Sequence, residues 1–429
     1  YAAAKAAKSA AIQLAATDPA LRNNALRAIA EALAANRKTI FEANAEDLAL
    51  SRENQLAEPL LKRLKFDDKK LSEVIGGIES LMDLPDPLGN TLSARELDHG
   101  LELYQVSCPI GVIGVIFESR PDALVQISTL CLKSGNAVLL KGGSEAAQTN
   151  RALADAILTA TPAAGIPDGW LHLLETRADV NDMLKMDDDI DLLIPRGSNE
   201  FVKFIMEHSN IPVLGHADGI CHVYVDADAD ISMARKITTD AKCQYTAVCN
   251  AAETLLVHDE IAKQFLPLLY EDLSARNVEL RGCPKTASII ACRPALEEDW
   301  RTEYLDAILS IKVVSGTDEA VDHINAYGSG HTDTIVTKNL WMAKRFLERV
   351  DSGNVFWNCS TRFSDGYRYG LGAEVGIGTS KIHARGPVGL EGLLIYKWML
   401  KGHGHTVAEY ADGTHKFTHR KLNKAFSVD

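Results

Sequence analysis

The run Val112-Ile-Gly-Val-Ile-Phe117 is apolar from end to end. A segment with helical spacing follows at Pro121–Lys133, and then a second apolar run, Ala137-Val-Leu-Leu-Lys141. Short apolar runs separated by helices mark βαβ units, whose parallel strands are buried on both faces. The grammar continues through Ser144–Thr159 (helix), Trp170–Leu174 (strand), Val180–Met186, Ile190–Ile194 (strand) and Asn199–His208 (helix). It resumes later with strands at Thr254–His258, Ile308–Val314, Thr334–Thr337 and Asn354–Trp357, separated by helices at 260–273, 318–327 and 340–350. The fold class is therefore α/β, with two parallel-sheet units. Such sheets offer ligands a crevice at the carboxyl ends of their strands.

Before the first run, residues 1 to about 80 are rich in Ala, Leu, Lys and Glu with helical spacing, and read as a helical layer closed by the turn cluster Leu84–Asn90. Residues 100–107 alternate as a half-exposed strand does. Residues 402–429 are polar and read as a tail, or as an arm on a partner subunit.

The bulk numbers exclude several classes. With 45 Lys+Arg against 58 Asp+Glu, the formal net charge of −13 argues against nucleic acid and anionic membranes as partners. No apolar stretch is long enough to span a bilayer. The eight cysteines form no Cys-x-x-Cys pair, so no zinc ribbon or dithiol is expected and the metal expectation is none. A reduced, cytoplasmic setting follows. The first residue is Tyr1, and the Ala-rich start reads as an amphipathic helix rather than a secretory signal.

Five places carry candidate chemistry, each with a plainer reading beside it. Cys249 lies between a helix-like segment and an apolar run; as a nucleophile it needs Lys242 or a helix N-terminus to lower its pKa, and otherwise it is packing. Lys141-Gly142-Gly143-Ser144 leaves a buried strand and opens a helix, as a phosphate cradle does and as ordinary turns also do. Pro195-Arg196-Gly197-Ser198 repeats that arrangement, with Ser198 a candidate N-cap. Arg120, in Glu118-Ser-Arg-Pro121, stands at the mouth of the crevice, suited to an anion or to an ion pair with Glu118. His331, in Gly328-Ser-Gly-His-Thr-Asp333, is either a titrating group or a structural hydrogen-bonder. Neither Gly-x-Gly-x-x-Gly nor a Walker loop is present.

Longer motifs carry a resemblance. Pro109 through Pro121, Leu140-Lys-Gly-Gly-Ser-Glu145, Cys249-Asn-Ala-Ala-Glu-Thr-Leu-Leu-Val-His258, Gly328–Asp333, Arg362-Phe-Ser-Asp-Gly-Tyr-Arg-Tyr-Gly-Leu-Gly-Ala-Glu-Val-Gly376 and Gly386-Pro-Val-Gly-Leu-Glu-Gly392 are similar to the gamma-glutamyl phosphate reductases, over nearly the whole chain. The stretch Asp240–Tyr245 resembles eukaryotic members more than bacterial ones.

The resemblance implies the aldehyde-dehydrogenase-like fold. Residues 1–235 would form an NADP-binding domain, with 94–108 an oligomerisation strand insertion. Residues 236–360 would be catalytic, and 361–429 would return to the cofactor domain and end in an oligomerisation arm. The implied reaction is NADPH-dependent reduction of L-glutamate 5-phosphate to the 5-semialdehyde with phosphate release, within proline biosynthesis. Cys249 matches the nucleophile, with Asn250 and Arg120 beside the reacting carbonyl. Lys141, Gly142, Gly143 and Ser144 match the turn at the adenosine ribose. Pro195 to Ser198 match the turn over the pyrophosphate, and Glu303 matches the glutamate on the nicotinamide ribose. Arg120, His331, Arg362 and Phe363 would meet the substrate.

Two departures from the wider superfamily bear on the chemistry. Ser144 stands where NAD-dependent members often carry Glu, which favours NADP, although Glu145 is adjacent. Val213, before Leu214-Gly215, stands where hydrolytic members carry a general base. The implied partners are the small-molecule substrate, a glutamate kinase that would supply it, and further copies of the chain as a homodimer or homotetramer. A hydrolytic aldehyde dehydrogenase of other substrate range and a non-catalytic scaffold on this fold are the alternatives.

Overall fold

In the computed structural model the helical layer comes first: α1 (Ala2–Leu14), α2 (Pro19–Ala35), α3 (Arg37–Glu53), α4 (Glu58–Leu64) and α5 (Asp68–Asp83). The structure describes every residue except Ser119, Ala217, Gly372, Ala373, Ile382 and Asp429. Asp18 starts α2 by accepting the Ala20 N–H, and Asp67 starts α5 by accepting that of Lys70. The alanine stripe Ala4, Ala7 and Ala11 lets α1 lie close against the strands that follow.

Strands β1 (Thr91–Asp98) and β2 (Leu101–Pro109) form an antiparallel ribbon; only the second of them is evident from the alternation of the sequence. The first parallel sheet comprises β3 (Val112–Phe117), β4 (Ala137–Lys141), β5 (Leu171–Leu174) and β6 (Leu192–Arg196), in the order β5-β4-β3-β6. Its helices are α6 (Pro121–Lys133), α7 (Ala147–Ala160), α8 (Arg177–Met183) and α9 (Asn199–His208). One face packs on α2, α5, α6 and α7 through residues such as Leu26, Ile78, Leu124 and Leu153. The other packs on α1, α8 and α9. Both faces are covered, so β3 and β4 are buried at every position, as their unbroken apolar runs predict.

The second parallel sheet has seven strands: β7 (Cys221–Val225), β8 (Ala252–His258), β9 (Glu279–Gly282), β10 (Arg293–Pro294), β11 (Ile308–Val314), β12 (Thr332–Val336) and β13 (Asn354–Trp357). Their order is β10-β9-β11-β8-β7-β12-β13. α10 (Ile231–Cys243) and α11 (Asp259–Ser274) cover one face through Ala234, Ala241, Phe265 and Leu269. The change of sheet thus falls before Cys221, ahead of residue 235, because β7 and α10 bury their apolar faces against the second sheet.

The chain then returns. The small hairpin β14 (Gly376–Gly378) and β15 (Gly386–Val388) leads into Leu390 and Leu393, which belong to the core of the first sheet. β16 (Leu394–Lys401) and β17 (Arg420–Lys421) join β2 and β1 in a four-stranded antiparallel sheet, order β16-β2-β1-β17. No helix among the described residues is long and apolar enough to cross a membrane.

Candidate active site

Parallel neighbours end on the same side, so β3, β4 and β6 deliver their turns to one edge. The turns after β4 and β6 are separated by that of β3, which lies between the two strands. After β4, Lys141 is buried and its Nζ donates to the Gly142 carbonyl. Gly142 is required by close approach: a β-carbon there would lie 2.1 Å from Asn150 Nδ2 and 3.3 Å from the Phe117 ring. Asn150 Oδ1 is buried without a hydrogen-bond partner beside this turn. Ser144 opens a short 3-10 helix that runs into α7. The Glu145 carboxylate folds back over Gly143 and lies within electrostatic reach of Glu118.

After β6, Ser198 caps α9 by accepting the Phe201 N–H, as its position predicts. Arg196 does not stay with that turn. Its guanidinium reaches Glu374, 3.8 Å from Oε1, and lies within electrostatic reach of Cys249. Arg120, after β3, is exposed. It lines a cavity of about 440 Å³ with Lys62, Arg63, Lys70, Asp122 and Tyr245. Glu118 does not pair with Arg120 as the plainer reading expects; it accepts the backbone N–H of Ser198. Ser119, between them, lies outside the described residues.

Cys249 occupies the turn between α10 and β8, half-buried, where the second sheet faces these turns. Burial pushes its thiol up to about 12; the charges of Glu303 and Glu374 add to the rise, and Arg196 opposes it. The expected activators are absent. The chain reaches Cys249 from the C-terminal end of α10, not from a helix N-terminus. Lys242 is fully buried and donates to Glu253 Oε2 at 2.6 Å. Burial raises the Glu253 carboxyl to about 7 in spite of that lysine.

The loop is held by bonds the sequence does not advertise. Asn250 Nδ2 donates to the Ser364 carbonyl at 2.7 Å, and the Asn250 carbonyl accepts from Thr361 Oγ1 at 2.7 Å. The Asn250 amide nitrogen is therefore occupied, while its buried Oδ1 has no hydrogen-bond partner. Arg362 donates to Gln244 Oε1 at 2.9 Å and lies within electrostatic reach of Cys249, while Phe363 is exposed. Glu303 accepts from Asn199 Nδ2 at 2.5 Å and from the Gly219 N–H, joining α9 to the segment that packs behind Cys249; burial raises its carboxyl.

Two histidines complete the centre. His331 is fully buried and held well below its ordinary range, so it is not the titrating group that one reading of the sequence expects. His216, which no motif singled out, packs edge-on against it with ring centroids 4.8 Å apart. Burial and the Arg196 charge lower His216 as well. Cys249, His216 and His331 bring their ligand-capable atoms within 4.8 Å of one another. Glu374 and Gly219 are the other residues missed from sequence; both come from irregular segments, where no periodicity marks them.

The structure thus gathers Cys249, Arg196, Glu303, Arg362, Asn250 and His331 at one place. It leaves Lys141 to Ser144 on a neighbouring turn, Arg120 at the mouth and Phe363 outside.

The aldehyde dehydrogenase family model matches residues 1–288 and 276–397. A gamma-glutamyl phosphate reductase of Pelotomaculum thermopropionicum is 65% identical over 425 residues, covering 99% of this chain and 98% of that one. The crystal structure of the Thermotoga maritima gamma-glutamyl phosphate reductase superposes with a TM-score of 0.92 at 42% identity, covering 94% of this chain and 98% of that one. The Saccharomyces cerevisiae gamma-glutamyl phosphate reductase is 37% identical with a TM-score of 0.53, covering 95% and 98%. The local likeness of Asp240–Tyr245 to eukaryotic members therefore does not extend over the chain. The chain belongs to the aldehyde dehydrogenase family and, within it, to the gamma-glutamyl phosphate reductases.

Proposed function

We propose that the protein reduces L-glutamate 5-phosphate to L-glutamate 5-semialdehyde with NADPH, releasing phosphate through a thioester on Cys249, as the second step of proline biosynthesis. The observation that carries the reading is the pair of buried or half-buried guanidinium groups, Arg196 and Arg362, both within electrostatic reach of the Cys249 sulfur. A sulfur within electrostatic reach of two guanidinium groups suits an acyl group that carries a phosphate at the reacting end and a carboxylate at the other. Val213 supports it. This residue pairs with Leu193 and packs against apolar neighbours, so the position supplies no base for hydrolysing a thioester.

The fold implies a nicotinamide cofactor, and the turn at Lys141 to Ser144 fits one: a buried cation, glycines that admit a close backbone, and the unpartnered Asn150 Oδ1. Lys141 and Ser144 would hold the adenosine ribose, Gly197 and Ser198 the pyrophosphate, and Glu303 the nicotinamide ribose. When bound, NADPH supplies the hydride.

The residues of the chain do the rest. The Cys249 thiol gives up its proton to solvent as its sulfur bonds to the acyl carbon. The carbon–oxygen bond to phosphate breaks, and Arg196 stabilises the charge of the departing group. Backbone N–H groups of the nucleophile loop, positioned by Asn250, hold the oxyanion; one such donor is worth about 100-fold or more in rate. After hydride addition the carbon–sulfur bond breaks, the aldehyde leaves and the sulfur recovers its proton. Arg120, at the mouth, draws the anionic substrate inward.

The antiparallel sheet is proposed to assemble the chain into a homodimer or homotetramer. β16 is an edge strand, and Ile395, Tyr396, Trp398 and Leu400 on it are about half exposed. A second copy laid along that edge would cover them. A cytoplasmic setting, with a glutamate kinase supplying the acyl phosphate, completes the proposal.

The decisive assay runs the reaction backward: glutamate 5-semialdehyde with NADP, with and without phosphate, beside the Cys249→Ser variant. Reduction of NADP only with phosphate, lost in the variant while NADPH still binds, is expected. Turnover without phosphate would instead identify a hydrolytic dehydrogenase. Silence under both conditions in folded protein would favour a non-catalytic scaffold.

A further inference from the structure

The His216–Cys249–His331 cluster has a property that the reductase reaction does not explain. His331 is fully buried, yet its Nε2 has no hydrogen-bond partner. A buried nitrogen without a protein partner is available to a ligand. Its other nitrogen is occupied: Nδ1 lies 2.8 Å from Thr332 Oγ1 and 3.6 Å from Cys221 Sγ. His216 is arranged alike, with Nδ1 donating to the Ile377 carbonyl at 3.0 Å. Both rings are thus held by Nδ1, which leaves Nε2 as the nitrogen to offer a ligand. Metal-binding histidines are oriented in this way, the far nitrogen anchored to a carbonyl or hydroxyl.

We propose that His216, Cys249 and His331 form a binding site for a thiophilic divalent cation of the Zn²⁺ class, and that its occupation shuts off the nucleophile reversibly. Two nitrogens and one sulfur are a donor set that zinc takes, with a fourth position left to water. The three ligand atoms already lie within 4.8 Å of one another. Zinc bonds of about 2.0–2.3 Å ask for separations of about 3.3–3.7 Å, a closure that rotation of the half-buried Cys249 and His216 side chains supplies. The surrounding charge helps: Glu303 and Glu374 both reach Cys249 electrostatically, and Arg196 is the opposing cation. As the sulfur–zinc bond forms, the thiol proton passes to solvent, so one metal ion in releases one proton. No electron moves. The sulfur cannot attack an acyl carbon while it ligates the ion, and removal of the ion restores the thiol.

The test is binding without substrate or cofactor, so that its outcome is independent of the proposed reaction. Metal-free, reduced full chain is titrated with Zn²⁺ against a chromophoric chelator. One ion per chain is expected at submicromolar affinity, weakened at least about 100-fold in Cys249→Ser and at least about 10-fold in His216→Gln. Co²⁺ is the spectroscopic probe: a thiolate-to-cobalt charge-transfer band is expected in the unmodified chain and absent from Cys249→Ser. His331→Asn adds a third arm; if it does not fold, the half-exposed His216→Gln and the Cys249→Ser variants still decide. Tight zinc binding that is unchanged in Cys249→Ser would overturn the proposal, because the ion would then sit on other residues. So would the absence of stoichiometric binding, or a Co²⁺ complex without the sulfur band.

Discussion

Gly219 stands directly behind Cys249: a β-carbon at Gly219 would lie 2.2 Å from the Cys249 carbonyl oxygen and 2.6 Å from its Cβ. The neighbour is backbone, so it cannot swing aside. The Gly219 N–H also donates to Glu303, which ties the same peptide to the proposed cofactor side.

Gly219→Ala is therefore expected to push Cys249, the proposed nucleophile, off its position. A misplacement of about 1 Å can cost about 100-fold in rate. The expectation is a fall of that order in kcat for phosphate-dependent NADP reduction, with NADPH affinity nearly unchanged. Wild-type kcat in the variant would mean that the loop relaxes freely and that the contact has no bearing on catalysis.

The Cys249 thiol, pushed up to about 12 by burial and by Glu303 and Glu374, is expected to react slowly with iodoacetamide at neutral pH and faster as pH rises. Glu303→Gln removes one of the two negative charges and should lower the thiol pKa. Each unit of lowering is worth about tenfold in thiolate at a fixed pH below it. Labelling of the Cys249 peptide at pH 8, followed by mass spectrometry, should be several-fold faster in the variant; an unchanged rate would show that the carboxylate is screened. The same shift bears on stability. The folded thiol holds its proton to higher pH than an unfolded cysteine, so this contribution is full below about 8.5 and is lost as pH rises toward 12.

Lys242 and Glu253 are a buried pair with both side chains inaccessible. Lys242→Met strands a carboxylate and is expected to cost about 3–5 kcal/mol, read as a lower urea midpoint. Lys242→Met combined with Glu253→Leu should regain most of that loss. A double variant as unstable as the single one would show that packing around the pair, not charge, sets the cost.

Ser144 opens the helix beyond the proposed ribose turn. Ser144→Glu would set a carboxylate against a 2′-phosphate and should shift the NADP-to-NAD ratio of kcat/KM toward NAD by about tenfold or more, the effect of about 1.4 kcal/mol. An unaltered ratio would transfer the choice of cofactor to Glu145, whose carboxylate lies over Gly143.

Much of the architecture was determined by the sequence alone. The runs Val112–Phe117 of β3 and 137–140 of β4 are apolar without interruption because both faces of a parallel sheet are covered, and this pattern is local. β7 escaped it, since Cys221-His222-Val223-Tyr224-Val225 carries polar groups that no strand rule expects to be buried. They are tolerated because partners arrive from β12: Asp333 Oδ1 accepts both the N–H and the Nδ1 of His222 at 2.8 Å.

The candidate site divides in the same way. Position between a helix and a strand marked Cys249, and glycine turns after strands marked Lys141 to Ser144 and Arg196 to Ser198, because chain direction at a strand end is set locally. The environment of the thiol was not legible. His216 and Gly219 come from the connection between α9 and β7, and Glu303, His331 and Glu374 from three others; they meet Cys249 only in the folded chain. The nearest basic residue in sequence, Lys242, turns into the core toward Glu253 instead. Spacing along a chain encodes which face of its own element a side chain occupies; which charges surround a sulfur depends on how distant elements pack, and only the tertiary structure decided that.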